Sequence, residues 1–304
     1  MSADTYASLS DLRVAAYLNQ QLFQLLHEPT DLRQCLIEVP FSPNMGSAAV
    51  KLGLYNPVDV FAAPGEDTAT SVTNITDASA TLTVAKYGLQ RELTDLAALT
   101  GGPDLDVLAN DMVLSANYTL ASLLTAAFPS LATSVGTSGV NLTVDDIYSA
   151  IYAMHLSSVT GPFYCILKPK QFNNFMASLR GEGGASAFSS ATNDMLAVKG
   201  PGFKGVWNGI EFYTHGTCVT ANAGVDVVGA LFGRGCYAFT EAPLDRITNY
   251  MAASVAPAGS KLVVEFARGS TGATAGKTFI QGQYYPAIAE VEDLRGVKIV
   301  TKAA

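Results

Sequence analysis

Charged residues are scarce in this chain of 304 residues: Asp, Glu, Lys and Arg make up 14% of it, against the usual quarter or so. The 18 basic and 26 acidic residues give a net charge of −8, and no run of basic residues occurs. Tight binding to a phosphate backbone needs clustered cations, so the composition argues against direct binding of nucleic acid. A surface short of charge is typical of a protein covered by other chains, and also of a soluble protein rich in small residues.

Cysteine and histidine are too few and too scattered to build a metal or catalytic centre. The three histidines lie far apart, and neither HExxH nor GxSxG is present. Asp145 and Asp146 are adjacent, but at a predicted helix start they are capping residues rather than a carboxylate pair. We therefore predict no catalytic residue, no metal site, no cofactor and a protein that is not an enzyme. The cysteines show no CxxC spacing, and we expect four buried free thiols: Cys35, Cys165, Cys218 and Cys236.

Long apolar runs are also missing. Residues 1–28 are polar and lack a charged stretch followed by an apolar core, so they do not resemble a signal peptide. No window approaches the roughly 20 apolar residues of a membrane span, which predicts no contact with a membrane. We therefore expect synthesis in the cytoplasm.

A glycine-rich stretch at residues 269–278, GSTGATAGKT, has only part of a phosphate-binding P-loop. The motif requires a glycine five residues before Gly276, and Thr271 occupies that position. A β pattern begins at Phe279, where the motif needs a helix whose N-terminus holds the phosphates. A nucleotide-dependent α/β enzyme that uses Lys277 is therefore the least favoured alternative.

The most informative feature that is present is a long β-hairpin pattern. Its two arms, AAVKLGLYNPVDVFAA and ATLTVAKYGLQR, flank a polar tip at residues 64–79. In the second arm Ala80, Leu82 and Val84 alternate with Thr81, Thr83 and Ala85. A two-stranded hairpin is at best marginally stable alone in water, and the monomer offers no obvious surface to support it. We predict that the ribbon lies on a neighbouring subunit.

Helical periodicity marks several other segments. A leucine-rich stripe predicts a helix over residues 9–26, followed by an irregular or extended arm over 30–43 without obvious attachment to the rest. A short helix is predicted over 93–99, and the longest one over 104–127, ended by Pro129. Thr143 and Asp146 form a capping-box pattern before a helix with Ile147, Ile151 and Met154 on its buried face.

The second half alternates strands with one further helix. Pro169 is predicted at the entry of that helix, with Phe172, Phe175, Met176 and Leu179 on one face. The glycine-rich stretch 180–205 has no clear period and is predicted to be a long loop, which we interpret as an assembly loop at a symmetry axis. Strands are predicted over 163–167, 209–214, 227–232, 236–240, 261–268, 279–291 and 297–301.

The order of these parts resembles the major capsid proteins of tailed double-stranded DNA phages, which share the Hong Kong 97 fold. The resemblance covers nearly the whole chain and includes the helix TVDDIYSAIYAMH, the segment FYCILKPKQFNNFMASLRG and the closing FIQGQYYPAIAEVEDLRGVKIVT. It implies an α+β fold. The implied parts are an N-terminal arm (1–47), an extended E-loop hairpin (48–91), a peripheral domain with a long spine helix (92–142), an axial α/β domain (143–240) and a return to the peripheral domain (241–304), with a last strand that can end in the axial domain.

The resemblance implies a function as well as a fold. The protein would self-assemble into hexamers and pentamers of an icosahedral head, within the virion, and enclose DNA without sequence-specific binding. A separate scaffolding protein is expected because the N-terminal arm is short, together with portal and decoration partners. Some members are cross-linked by a Lys–Asn isopeptide bond, which we do not expect here because no lysine lies between Lys51 and Lys86 and no asparagine follows Asn249. The alternative is an encapsulin-like nanocompartment shell protein that encloses cargo enzymes.

Overall fold

The computed structural model describes residues 31–41, 48–55, 77–95, 105–243, 262–269 and 276–303. Within these ranges the helices are α1 (Leu105–Ala127), α2 (Val144–Leu156), α3 (Pro169–Gly181) and α4 (Asn193–Lys199). The first eight strands are β1 (Ile37–Glu38), β2 (Ala49–Tyr55), β3 (Asp77–Thr83), β4 (Tyr87–Thr94), β5 (Ser134–Val135), β6 (Phe163–Leu167), β7 (Ser189–Ser190) and β8 (Phe203–Trp207). The others are β9 (Ile210–Thr214), β10 (Thr220–Ala221), β11 (Asp226–Gly233), β12 (Tyr237–Glu241), β13 (Leu262–Gly269), β14 (Lys277–Tyr284), β15 (Pro286–Glu290) and β16 (Gly296–Lys302).

An eight-stranded mixed sheet forms the centre of the larger part of the chain. Its strand order is β5-β16-β11-β6-β9-β8-β7, with β10 paired to β11. Every residue of β6 and β11 is buried, because both faces of the sheet are covered. Tyr164 and Ile166 of β6 face a core that includes the end of α1, whereas Cys165 and Leu167 face a second core under α2 and α3. The predicted all-apolar strand over 163–167 is thus confirmed as a buried central strand.

Helix α2 begins where its capping pattern predicts. The Thr143 hydroxyl accepts a hydrogen bond from the Asp146 amide, and the Asp146 carboxylate accepts one from the Thr143 amide. Ile147, Ile151 and Met154 are buried, as expected, over the second core. Asp146 is therefore used in the cap, and the interpretation of the Asp145–Asp146 pair as capping rather than catalytic is supported by these contacts.

Two smaller sheets and a ribbon make up the rest of the described chain. One sheet has the order β1-β12-β15 and the other the order β13-β14-β4, and helix α1 lies against β13, β14 and β15. The ribbon is the antiparallel pair β2–β3. Strand β16 pairs with β11 and β5 in the large sheet, so the chain crosses from the small sheets back into the large one after β15.

Helix α1 contradicts the prediction that no window is apolar enough for a membrane span. An 18-residue window within Asp111–Ser130 has a mean hydropathy of 1.2, which is enough for a membrane span by length and composition alone. Leucine and valine supply most of this mean and alanine adds to it, while Ser, Thr and Asn interrupt any continuous apolar run. Within the described chain the buried side of the helix, with Met112, Leu120 and Leu124, packs in the protein core.

Three predicted element boundaries are wrong. Residues 93 and 94 end strand β4, so the helix predicted over 93–99 begins at Asp95 instead, and residues 96–99 lie outside the described chain. The predicted loop over 180–205 holds the 3₁₀ turn Gly184–Ala187, strand β7 and helix α4, whose N-cap is the Thr192 hydroxyl. The single strand predicted over 279–291 is two strands in different sheets, since the chain leaves β14 at Tyr285 and Pro286 begins β15. The predicted helix over residues 9–26 lies outside the described residues.

Candidate assembly surfaces

The base of the β2–β3 ribbon rests on its own chain. Leu82 is fully buried and packs in one cluster with Ala238 of β12 and Ala287 of β15. The predicted alternation in β3 is confirmed, because Ala80 and Leu82 are buried while Thr81 and Thr83 are exposed. The expectation that the monomer has no surface for the ribbon is wrong for this base. Residues 56–76, which include most of the predicted tip, lie outside the described residues.

Residues 31–41 also pack against the rest of the subunit, so the prediction of an unattached arm is wrong for this segment. Leu32, Cys35 and Leu36 are at most 2% exposed and belong to the core that covers one face of the large sheet. Beyond them β1 pairs in parallel with β12 at the edge of a small sheet. Three buried residues are too few to give a periodic signal in sequence, which is why the attachment was not predicted.

An ion pair between the partly exposed Arg33 and the buried carboxylate of Glu241 joins this segment to the small sheets. Arg33 donates to one carboxylate oxygen of Glu241 from Nη2 at 2.7 Å and from Nε at 3.0 Å. The same guanidinium donates to Asn117 Oδ1 of α1 at 2.7 Å and to Tyr284 Oη of β14 at 3.2 Å. The Tyr284 hydroxyl in turn donates to Glu241. Four separate parts of the chain therefore meet at one charge network.

The network sets the protonation of its members. Burial of the Arg33 guanidinium lowers its pKa, but the hydrogen bond to Glu241 and the nearby acidic groups outweigh burial and leave the pKa above its usual value. Burial raises the pKa of Tyr284, and its hydrogen bond to Glu241 raises it further. Arg33 thus stays charged and Tyr284 stays neutral across the physiological range.

Apolar side chains lie exposed on the outer faces of two helices. On α2, Tyr148, Tyr152 and Leu156 are 50%, 69% and 74% exposed at a spacing of four residues, so they form one stripe. On α4, Met195 and Val198 are 41% and 82% exposed. A contiguous exposed apolar stripe is typical of a protein–protein interface. Sequence reasoning identified the buried faces of α2 but missed this second, exposed apolar face.

Of the cysteines and histidines weighed for chemistry, all but His27 lie in the described part of the chain. All four cysteines are buried thiols outside any disulfide, as predicted. Within the described residues no group of three or more His, Cys, Asp or Glu side chains is placed to hold a metal ion. His155 is exposed on α2, whereas His215 is buried beneath Tyr118, and His27 lies outside the described residues.

The glycine-rich stretch that resembles a P-loop connects two strands of one hairpin. Lys277 begins β14 and forms an ion pair of 2.5 Å with Glu92 on the neighbouring β4. A β-strand therefore follows the lysine, as the sequence predicted from Phe279 onward. The lysine is engaged with a carboxylate of its own sheet, which gives no support to a nucleotide site.

Comparisons with known proteins show which solved structures this architecture resembles. No protein-family model and no curated protein matches the chain. Among solved structures, the head of Helicobacter pylori bacteriophage KHP40 has a TM-score of 0.62 at 9% identity, covering 91% of both chains. The capsid of cyanophage Pam1 has a TM-score of 0.61 at 12% identity, covering 91% of this chain and 93% of that one. An encapsulin complex from Synechococcus elongatus has a TM-score of 0.55 at 10% identity, covering 98% and 95%.

These likenesses define the class of fold. The chain has the Hong Kong 97-like capsid fold, of mixed α+β type, as the sequence predicted. The matched capsid subunits and this chain have nearly the same extent, so the fold accounts for almost all of the chain.

Proposed function

We propose that this chain is the major capsid protein of a tailed double-stranded DNA phage. The observation that carries the proposal is the match to phage head and capsid subunits over about nine tenths of both chains. A chain with so few charged residues, and with exposed apolar side chains on the outer faces of α2 and α4, needs partner surfaces to cover them. Further copies of the same chain supply those surfaces. Hexamers and pentamers use heterologous contacts, in which one patch meets a different patch and rotation closes the ring.

The parts of the chain take the following roles in this proposal. Residues 1–47 are the N-terminal arm, 48–91 the E-loop, 92–142 the peripheral domain with α1 as spine helix, 143–240 the axial domain and 241–304 the return. The pairing of β16 with β11 and β5 supports a last strand that ends in the axial domain. Residues 87–91 belong to β4, which pairs with β14, so this end of the E-loop continues into the peripheral sheet.

The proposed protein is structural rather than enzymatic, and it acts in the virion after synthesis in the host cytoplasm. It encloses DNA without sequence-specific contacts, consistent with its net charge of −8. Assembly uses a separate scaffolding protein, a portal and decoration proteins. No cofactor, metal or membrane takes part.

Electron microscopy of the purified protein tests the proposal. We expect closed icosahedral shells when the chain is produced together with its scaffolding partner, and capsomers or free subunits without it. Deleting Pro64–Ser79 should leave a folded subunit that fails to close shells, because the ribbon loses its reach to the neighbouring copy. Normal shells from the deleted chain would contradict the E-loop role, and a chain that stays monomeric under every assembly condition would contradict the shell function.

An encapsulin-like shell is the second candidate, favoured by the coverage of 98% of this chain by the encapsulin subunit. The two candidates differ in what the particles contain. Nuclease-protected double-stranded DNA in particles from the producing cell supports the phage head. A co-purifying enzyme in particles without DNA supports the nanocompartment instead.

A further inference from the structure

The turn between β8 and β9 consists of Asn208 and Gly209, the one Asn–Gly pair in the sequence. Trp207 pairs with Ile210 across the turn, so only these two residues connect the strands. Both have a positive φ, 50° at Asn208 and 76° at Gly209, which is the conformation that Asn–Gly favours in a two-residue hairpin. The local conformation therefore accounts for the presence of this pair of residues.

The tip of the turn projects into solvent. Asn208 and Gly209 are exposed, and a Cβ on Gly209 would meet nothing within 4 Å. The residues on either side are anchored, because Trp207 is 4% exposed and Ile210 is fully buried in the core beneath α2 and α3. Water and dissolved bases thus reach the two tip residues while the flanking strands stay in place.

We propose that Asn208 is a site of spontaneous covalent modification. The Gly209 amide gives its proton to a base in the solvent, and its nitrogen forms a bond to Cγ of Asn208. The Cγ–Nδ2 bond then breaks, and Nδ2 takes up a proton and leaves as ammonia. The product is a five-membered succinimide ring. Glycine favours this attack because no Cβ stands beside the attacking nitrogen.

Water opens the succinimide in either of two directions. Attack at Cγ breaks its bond to the Gly209 nitrogen and leaves aspartate in place of Asn208. Attack at the main-chain carbonyl leaves isoaspartate, in which the chain runs through Cγ. Both products carry a carboxylate, which makes the net charge of −8 one unit more negative. Isoaspartate also lengthens the turn by one backbone atom, so it weakens the pairing of Trp207 with Ile210.

Asn222 is a matched comparison within the same chain. It is exposed and has the same φ of 50°. Its side-chain amide, however, donates to the Asp226 carboxylate, and the next residue is Ala223, whose Cβ crowds the attacking nitrogen. We expect Asn208 to be modified about tenfold or more faster than Asn222, since Asn222 must first break its hydrogen bond to a charged group.

Mass spectrometry of peptides from the native, full-length protein tests the proposal. The protein is kept folded at mildly alkaline pH in water enriched in heavy oxygen. The peptide with Asn208 should exchange its amide for a carboxyl group and take up one heavy oxygen. Part of the product should be labelled by an isoaspartate methyltransferase. The reaction needs only this turn and water, so its outcome is independent of shell formation.

Asn208→Gly is the control variant, because this turn type also accepts Gly–Gly and the reacting side chain is removed. In this variant both the change in mass and the methyltransferase labelling should disappear from the turn peptide. An unmodified Asn208 peptide from the native protein would overturn the proposal. Modification of Asn222 at the same rate as Asn208 would overturn it as well.

Discussion

Replacing Arg33 by methionine should destabilise the subunit by about 2–4 kcal/mol, less than breaking a fully buried ion pair, because the Tyr284 hydroxyl still donates to the Glu241 carboxylate. The Glu241 side chain is 1% exposed, and two N–H groups of Arg33 bond to one of its oxygens at 2.7 and 3.0 Å. Methionine retains most of the apolar stem, so lost packing contributes little to the change. The cost therefore arises from a carboxylate that stays buried after its cation is removed.

Urea unfolding measures this effect with a natural probe. The single tryptophan, Trp207, is 4% exposed in the core beneath α2 and α3, so its fluorescence reports unfolding of the subunit. With a slope of about 3 kcal/mol/M, Arg33→Met should lower the midpoint by about 1 M. Arg91→Met is the matched control, because Arg91 pairs with Asp111 at 2.9 Å but is 48% exposed, and such pairs contribute about 0–1 kcal/mol. Equal midpoint shifts for the two variants would refute the argument that burial makes the Arg33 pair costly to break.

Three further predictions concern packing, pH and thiols. Gly229→Ala should lower the free energy of unfolding by about 1–3 kcal/mol, because the added Cβ would lie 2.8 Å from a Leu167 methyl and 2.9 Å from the Ile166 carbonyl oxygen. Gly53→Ala is the control, since its Cβ meets nothing within 4 Å and should change the urea midpoint little. Burial lowers the pKa of His215, so the unfolded chain binds its proton first and stability should fall as the pH drops below about 6.5. In urea titrations at several pH values, His215→Gln should flatten this dependence of stability on pH. A dependence that is unchanged in this variant, or flattened equally by His155→Gln, would be contrary to expectation. Burial raises the pKa of the thiols of Cys35, Cys165 and Cys236, so a thiol reagent at pH 8 should label them only after unfolding. A reductant should leave particles intact. Labelling of these thiols in the native protein would contradict the prediction.

Local signals in the sequence were sufficient for elements whose stability is local. The capping box at Thr143, the apolar run over 163–167 and the proline at 169 each fix an element start or a buried strand through contacts a few residues apart. The prediction of a loop over 180–205 was wrong because helix α4 is only seven residues long and has no buried residue, so it lacks a periodic apolar stripe. The break at Tyr285 was missed because it depends on which sheet each half joins, not on the local pattern.

The candidate surfaces were harder to predict than the fold. One cleft between α1 and the β4–β14 pair is lined by residues near 87, 115 and 282, which become neighbours only after the helix packs on the sheet. The Arg33 network likewise spans 208 positions between its two charges. The exposed stripe on α2 could have been found, since Tyr148, Tyr152 and Leu156 repeat every four residues. It was hidden by a buried stripe of similar composition on the other side of the same helix.

The position of β16 between β5 and β11 also constrains how the protein is made. Gly296 emerges from the ribosome 63 residues after Gly233, the end of β11, a delay of roughly 3–13 s at typical translation speeds. Throughout this interval one edge of β11 exposes unpaired backbone groups, the kind of edge that recruits foreign strands. Nascent chains on neighbouring ribosomes of one message can therefore pair through this edge until β16 has been made, and a chaperone that shields the edge would raise the yield of usable subunits.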